Sequence, residues 1–136
     1  MSNSERDILK SYLNQNKTTS FYDLVFNYID EYLDNKNLVH KDSIVYNRAG
    51  IDRRLFSKFR SNENYSFSRN NVLKLCIALE LDLDNTCILL ESAGYSLSTT
   101  KAFDLIIRYY ISNGIYDLDK INESLYALTN TSLSRE

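Results

Sequence analysis

The chain has 136 residues, 43% of them hydrophobic, with no proline, three glycines and a formal net charge of −2. That length is most simply one domain, and the apolar share is enough for a sizeable core. No apolar run approaches the roughly 20 residues of a membrane span, and the charge is not the basic total of a non-specific nucleic-acid binder.

The start, Met1-Ser2-Asn3-Ser4-Glu5-Arg6-Asp7, does not read as a signal peptide. Cys76 and Cys87 lie in apolar helical runs and read as small core hydrophobes of a reducing compartment. A cytoplasmic protein is expected. The sole histidine is His40, too little for a Cys/His metal site, and no cofactor is expected. No G-x-S-x-G, phosphate-cradling glycine loop or zinc signature occurs, so no enzyme is expected. The eleven tyrosines are spread over nearly every apolar stretch, which suits packing better than base stacking.

In chain order, residues 4–14 form a first short helix, with Ser4 as cap, Asp7 three later, and the stripe Ile8, Leu9, Tyr12, Leu13. It should pack loosely or against a partner. Residues 14–19 are a polar joint. Ser20 with Asp23 caps a second helix over 20–34, whose stripe is Phe21, Leu24, Val25, Tyr28, Ile29, Tyr32 and Leu33. Its outer face, Asp23, Asn27, Asp30, Glu31 and Asp34, is acidic and should not lie against DNA.

Residues 42–62 carry the most information. They read as a short helix, a tight turn and a second short helix. Gly50 closes the first because a residue just past a helix end often needs φ > 0. Asp52 caps the second. Leu55, Phe56 and Phe59 then point inward, and Arg53, Arg54, Ser57 and Lys58 fall on the other face. Arginine reaches guanine O6 and N7 as a bidentate fork, so that open face suits the major groove of DNA.

A polar loop at 62–67 follows, with Asn62 a candidate for φ > 0. Tyr65 and Phe67 are expected to seal the core. Ser68 caps a helix to about Leu81, with Val72, Leu75, Cys76 and Leu79 inward and Arg69, Asn70 and Lys74 near its start on the exposed side. Helix N-termini attract phosphate, so that end could clamp a DNA backbone. Asp82 or Asp84 starts a further helix that Gly94 ends, with Leu83, Thr86, Cys87, Leu90 and Ala93 inward.

Beyond residue 94, Ser98 or Thr99 caps a helix carrying Phe103, Ile106, Ile107 and Tyr110, which ends near Gly114. Asp117 starts another, with Leu118, Ile121, Leu125 and Leu128 at helical spacing. The two make a helical hairpin that either roofs the preceding unit or forms a dimer seam. The tail from Asn130 is polar and should fray.

Charge is unevenly placed. Residues 40–75 hold eight Lys/Arg (Lys41, Arg48, Arg53, Arg54, Lys58, Arg60, Arg69, Lys74) against three acids (Asp42, Asp52, Glu63), a net +5, which leaves eight cations and fifteen acids, net −7, elsewhere. A basic patch on an acidic body steers a polyanion to one face.

The Ala49-Gly50-Ile51-Asp52 turn, the inward Phe56 and Phe59, and the later run Asn71–Asp82 together resemble the lambda-repressor-like (Xre-type) helix-turn-helix domain. The resemblance covers roughly residues 20–94. It implies an all-α, five-helix helix-turn-helix unit at 20–94, here with an N-terminal helix and joint at 1–19 and a C-terminal helical hairpin and tail at 95–136, in one helical domain. Two positions depart from the family. Asp42 stands where a glutamine often opens the first motif helix and helps bind the DNA backbone, and Tyr46 stands where a small residue is usually buried.

The resemblance implies a sequence-specific regulator that binds double-stranded DNA. The Asp52–Ser61 helix would read bases with Arg53, Arg54, Ser57 and Lys58. Lys41, Arg48, Arg60, Asn62, Arg69, Asn70 and Lys74 would hold phosphates. A homodimer would set two copies of that helix in successive major grooves about 34 Å apart. The rival expectation, from Asp42, Tyr46 and the overall acidity, is an interaction module of the same fold that binds a protein partner instead of DNA, such as a phage- or defence-related adaptor or inhibitor.

Overall fold

The computed structural model describes residues 1–134, and among them there are eight α-helices and no strand. They are α1 (Asn3–Asn16), α2 (Phe21–Asn35), α3 (Asp42–Ala49), α4 (Arg53–Ser61), α5 (Arg69–Ala78), α6 (Leu83–Ser92), α7 (Ala102–Ser112) and α8 (Leu118–Thr129).

Side-chain caps set most helix starts. Ser20, Asp52, Ser68, Asp82 and Asp117 each accept a bond from a backbone N–H in the first turn of α2, α4, α5, α6 and α8. Two starts differ from expectation. Ser2, not Ser4, caps α1, through a bond from Glu5 N. Neither Ser98 nor Thr99 caps α7. Lys101 takes the N-cap position without a side-chain bond, while Ser98 Oγ accepts from Thr100 N and Lys101 N in the turn before it.

The α5 helix occupies the centre. Every residue from Asn71 to Ala78 is buried, and α3, α6 and α8 pack against it. The α7–α8 hairpin lies across α6 and α5 and so roofs the preceding helices. Ile107, Ile121 and Leu125 are fully buried beneath it. Leu128 points outward, 74% exposed, because α8 ends one residue later and nothing covers its last turn. The tail does not fray at Asn130. Asn130 takes φ 59°, turning the chain back, and Leu133 is fully buried with its N–H bonded to Asn122 Oδ1 at 2.9 Å.

Polar groups bind the layers. Tyr28 Oη donates to Asn85 Oδ1, Tyr95 Oη to Phe67 O and Tyr116 Oη to Leu81 O, at 2.8 to 2.9 Å. The α5 helix stops at Ala78 rather than Leu81, and Glu80 takes φ 54°, a left-handed conformation that a glycine-free stretch did not signal. Burial in this core pushes the Cys76 thiol up to about 12, so it stays protonated and unreactive at neutral pH.

Two substitutions test this packing. Gly50 has φ 67°, and a Cβ there would meet Leu118 at an ordinary 3.7 Å, so backbone strain, not space, opposes a side chain. Gly50→Val should cost about 1–3 kcal/mol in a denaturant melt; an unchanged midpoint would mean the turn relaxes into another form. Ile107→Asp should cost at least about 3 kcal/mol, since it buries a charge and removes core volume. Light scattering and circular dichroism together showing a fully folded monomer with wild-type stability would place the hairpin at a seam instead of a roof.

Candidate nucleic-acid interface

The site is built on α3, the turn at 50–52, and α4. The α4 helix has two unlike faces. Phe56 and Phe59 are buried, and Phe21, Tyr22, Phe26 and Phe67 pack around Phe59 with ring centroids 4.6 to 5.6 Å apart. Tyr46 lies 5.3 Å from Phe56, half-buried on α3, so its ring is part of this cluster. Each such aromatic pair contributes about 0.5–1.5 kcal/mol beyond its buried area. Tyr22 Oη also donates to Arg60 O at 2.8 Å, fixing the last turn of α4.

On the opposite face Arg53, Arg54, Ser57 and Lys58 are all exposed. The side chains of Arg53, Arg54 and Lys58 have no ion-pair partner among the described residues. Ser57, Lys58 and Asn62 come together in one shallow depression, with Ser61 and Tyr65, at the C-terminal end of α4. Lys41, exposed, stands at the N-cap of α3. Asn62 does not take φ > 0. It is extended, φ −141°, with its side chain accepting from Asn64 N, so an Asx turn does the work expected of a left-handed residue.

The other cations named from the sequence are engaged within the chain. Arg60 donates from Nε to Asp42 Oδ2 at 2.5 Å, and its guanidinium sits 4.5 Å over the Phe26 ring. Asp42 therefore holds a neighbouring arginine. Arg48 donates to Ala78 O and Glu80, joining α3 to the end of α5. Arg69 donates to Ser96 O and to Asp104 Oδ2 at 2.7 Å, and Asp104 is only 5% exposed. Lys74 is not on an exposed side as its spacing suggested. It is 9% exposed, because α3, α6 and α8 pack around α5 and leave it no solvent face. Asn70 is half-buried beside it in the first turn of α5.

These pairings were beyond sequence reasoning. Arg69 and Asp104 are 35 residues apart, and Arg48 and Glu80 are 32 apart, with no local pattern linking either. Of the residues lining the depression, Ser57, Lys58 and Asn62 were expected at the site from the sequence; Ser61 was not, and Tyr65 was expected to seal the core.

Before α3, His40 bridges two acids of α2, with Nε2 2.6 Å from Asp34 Oδ1 and Nδ1 3.4 Å from Asp30 Oδ1. The hydrogen bond to Asp34 first, and the charge of the two carboxylates with it, raises the His40 pKa above its ordinary 6.5. Among the described residues no group of three His, Cys, Asp or Glu side chains is placed to hold a metal, and no helix is long and apolar enough to cross a membrane. No family model, curated protein or solved structure matches this chain.

The His40 bridge predicts a pH dependence. The folded pKa lies above the unfolded one, so its stabilisation is complete below about pH 6.5 and is lost as pH rises through the folded value. The wild-type melting temperature should fall over that window relative to His40→Ala. Parallel pH profiles for the two proteins would show the bridge to be without consequence.

Proposed function

We propose that α2–α6 form a repressor-like helix-turn-helix unit and that the protein is a sequence-specific DNA-binding regulator, with α4 in the major groove. One observation carries this reading: Arg53, Arg54, Ser57 and Lys58 share the exposed face of a helix whose other face is locked in aromatic packing, directly after a tight glycine turn. A rigid cationic helix of that kind has the donor set for guanine edges and phosphates together.

In this reading Arg53 and Arg54 meet base edges, and Ser57 and Lys58 meet bases or the nearest phosphates. Lys41, Asn62 and Asn70 flank them on the sugar–phosphate backbone. Arg60, shared between Asp42 and Phe26, is a weaker phosphate ligand than its charge implies. Arg48 and Arg69 serve the fold first, and Lys74 is withdrawn from the footprint. Two subunits on a two-fold axis would present α4 at about 34 Å spacing.

A second reading has its own support. Four cations remain on the face, Lys41, Arg53, Arg54 and Lys58, on a chain of net charge −2. So narrow a patch also suits an acidic protein partner, which makes the chain an adaptor that kept the fold without the DNA.

A shift assay at graded salt, first on random-sequence duplex and then on a selected site, distinguishes them. Under the DNA reading, binding weakens steeply with salt as condensed counterions lose their release entropy. Arg54→Ala should cost about 1–3 kcal/mol on the selected site and blur preference at one base pair, while Lys41→Ala should weaken all sequences alike and reduce the salt slope by about one. Absence of binding at low salt, or unchanged affinity after Arg53, Arg54, Lys58 and Arg60 are all replaced by alanine, would hand the lead to the adaptor reading.

A further inference from the structure

The first helix is the one element that the core does not use. All fourteen residues of α1 are exposed, and it is not among the helices that pack closely on one another. Isolated helices of about 12–15 residues are marginal in water even when alanine-rich, and α1 contains no alanine. Its helical order therefore calls for a partner against its apolar face. That face is a stripe of Ile8, Leu9, Tyr12 and Leu13, 46 to 66% exposed.

We propose that α1 pairs antiparallel with α1 of a second copy of this chain. The stripe is its own complement in that direction. Ile8 packs on Leu13 of the partner subunit, and Leu9 packs on Tyr12 of the partner subunit, about a two-fold axis between Lys10 and Ser11. Charge fixes the direction. Glu5 lies in line with the stripe at one end, one turn before Ile8 and Leu9, while Asn16 continues it at the other end and Lys17 follows. Antiparallel pairing sets each Glu5 carboxylate beside Asn16 and Lys17 of the partner subunit. Parallel pairing would set Glu5 against Glu5, and like charges so placed are destabilising. Antiparallel helix dipoles favour the same direction.

The rest of α1 argues against a lipid surface as the occupant. Its charged residues are Glu5, Arg6, Asp7 and Lys10, mixed in sign, without the cationic polar face that binds anionic bilayers. The pair is small, at the low end of protein interfaces below about 1,200 Å², so it forms and dissociates with concentration. The inference does not depend on whether α4 binds DNA, though such a pair would supply a second α4.

Sedimentation equilibrium of the full chain over a wide concentration range tests it. The wild type should pass from monomer to dimer, with helicity by circular dichroism falling on dilution. The double variant Leu9→Glu, Leu13→Glu should stay monomeric and keep the melting temperature of the dilute wild type, because α1 buries none of its residues in its own subunit. Glu5→Lys and Lys17→Glu should each weaken the dimer severalfold. Mixing these two proteins should restore it, since both end contacts of the mixed pair are then opposite in charge. A wild type monomeric at every concentration overturns the proposal, with or without binding to anionic vesicles. So does a dimer that survives Leu9→Glu, Leu13→Glu, or a mixture no tighter than its components.

Discussion

The burial of α5 on all sides is the constraint from which the rest of the architecture follows. A helix with eight consecutive buried residues cannot be amphipathic, and each of its sides needs a cover. The α3 helix and the α6 helix supply two covers and α8 supplies another, so the C-terminal hairpin is required by the centre rather than added to it. Two polar residues, Asn71 and Lys74, are carried into this environment, and none of the buried side-chain N or O atoms among the described residues lacks a hydrogen-bond partner. Where α5 ends, Glu80 turns left-handed and receives Lys36 of the α2 C-cap and Arg48 of α3, so the same helix end ties three elements together.

Electrostatics in this chain is mostly internal bookkeeping. Asp42 holds Arg60, Glu80 holds Arg48, and Asp104 holds Arg69. The net +5 counted along residues 40–75 thus overstates the charge presented to a partner. The exposed pairs contribute little to stability, about 0–1 kcal/mol each. Asp104 differs because it is buried, and removing Arg69 would leave its carboxylate short of a charged donor. What survives on the surface is Lys41 and the set on α4, the latter a local feature that one helix wheel displays.

That difference explains what was legible in the sequence. Caps are local: Ser20, Asp52, Ser68, Asp82 and Asp117 act on amides within their own first turn, so composition and spacing suffice to find them. Gly50, Gly94 and Gly114 are legible for the same reason, each at positive φ past a helix end. The sidedness of α5 was not. Its spacing allowed a solvent face for Lys74, and the packing of α3, α6 and α8 around it removes that face. Leu133 likewise sits in a polar stretch, and its burial depends on Asn122 catching its N–H across eleven residues. Long-range partners decide these positions, and a single sequence does not encode them as a pattern.

Tyrosine hydroxyls complete the mount on which α4 stands. With no proline to stiffen the joints, the helices are located by rings that bury their faces and anchor their tips. Tyr95 Oη holds Phe67 O, and the Phe67 ring packs at a tilt 4.6 Å from Phe59, so the loop after α4 is fixed at the same cluster that fixes α4 itself. Tyr22 Oη, from the same cluster, holds Arg60 O in the last turn of that helix. The inner face of α4 is thus constrained by packing and by backbone hydrogen bonds at once, while Arg53, Arg54 and Lys58 contribute to neither. Changes confined to those three side chains therefore report on what the face recognises, and changes to Phe56 or Phe59 report on folding.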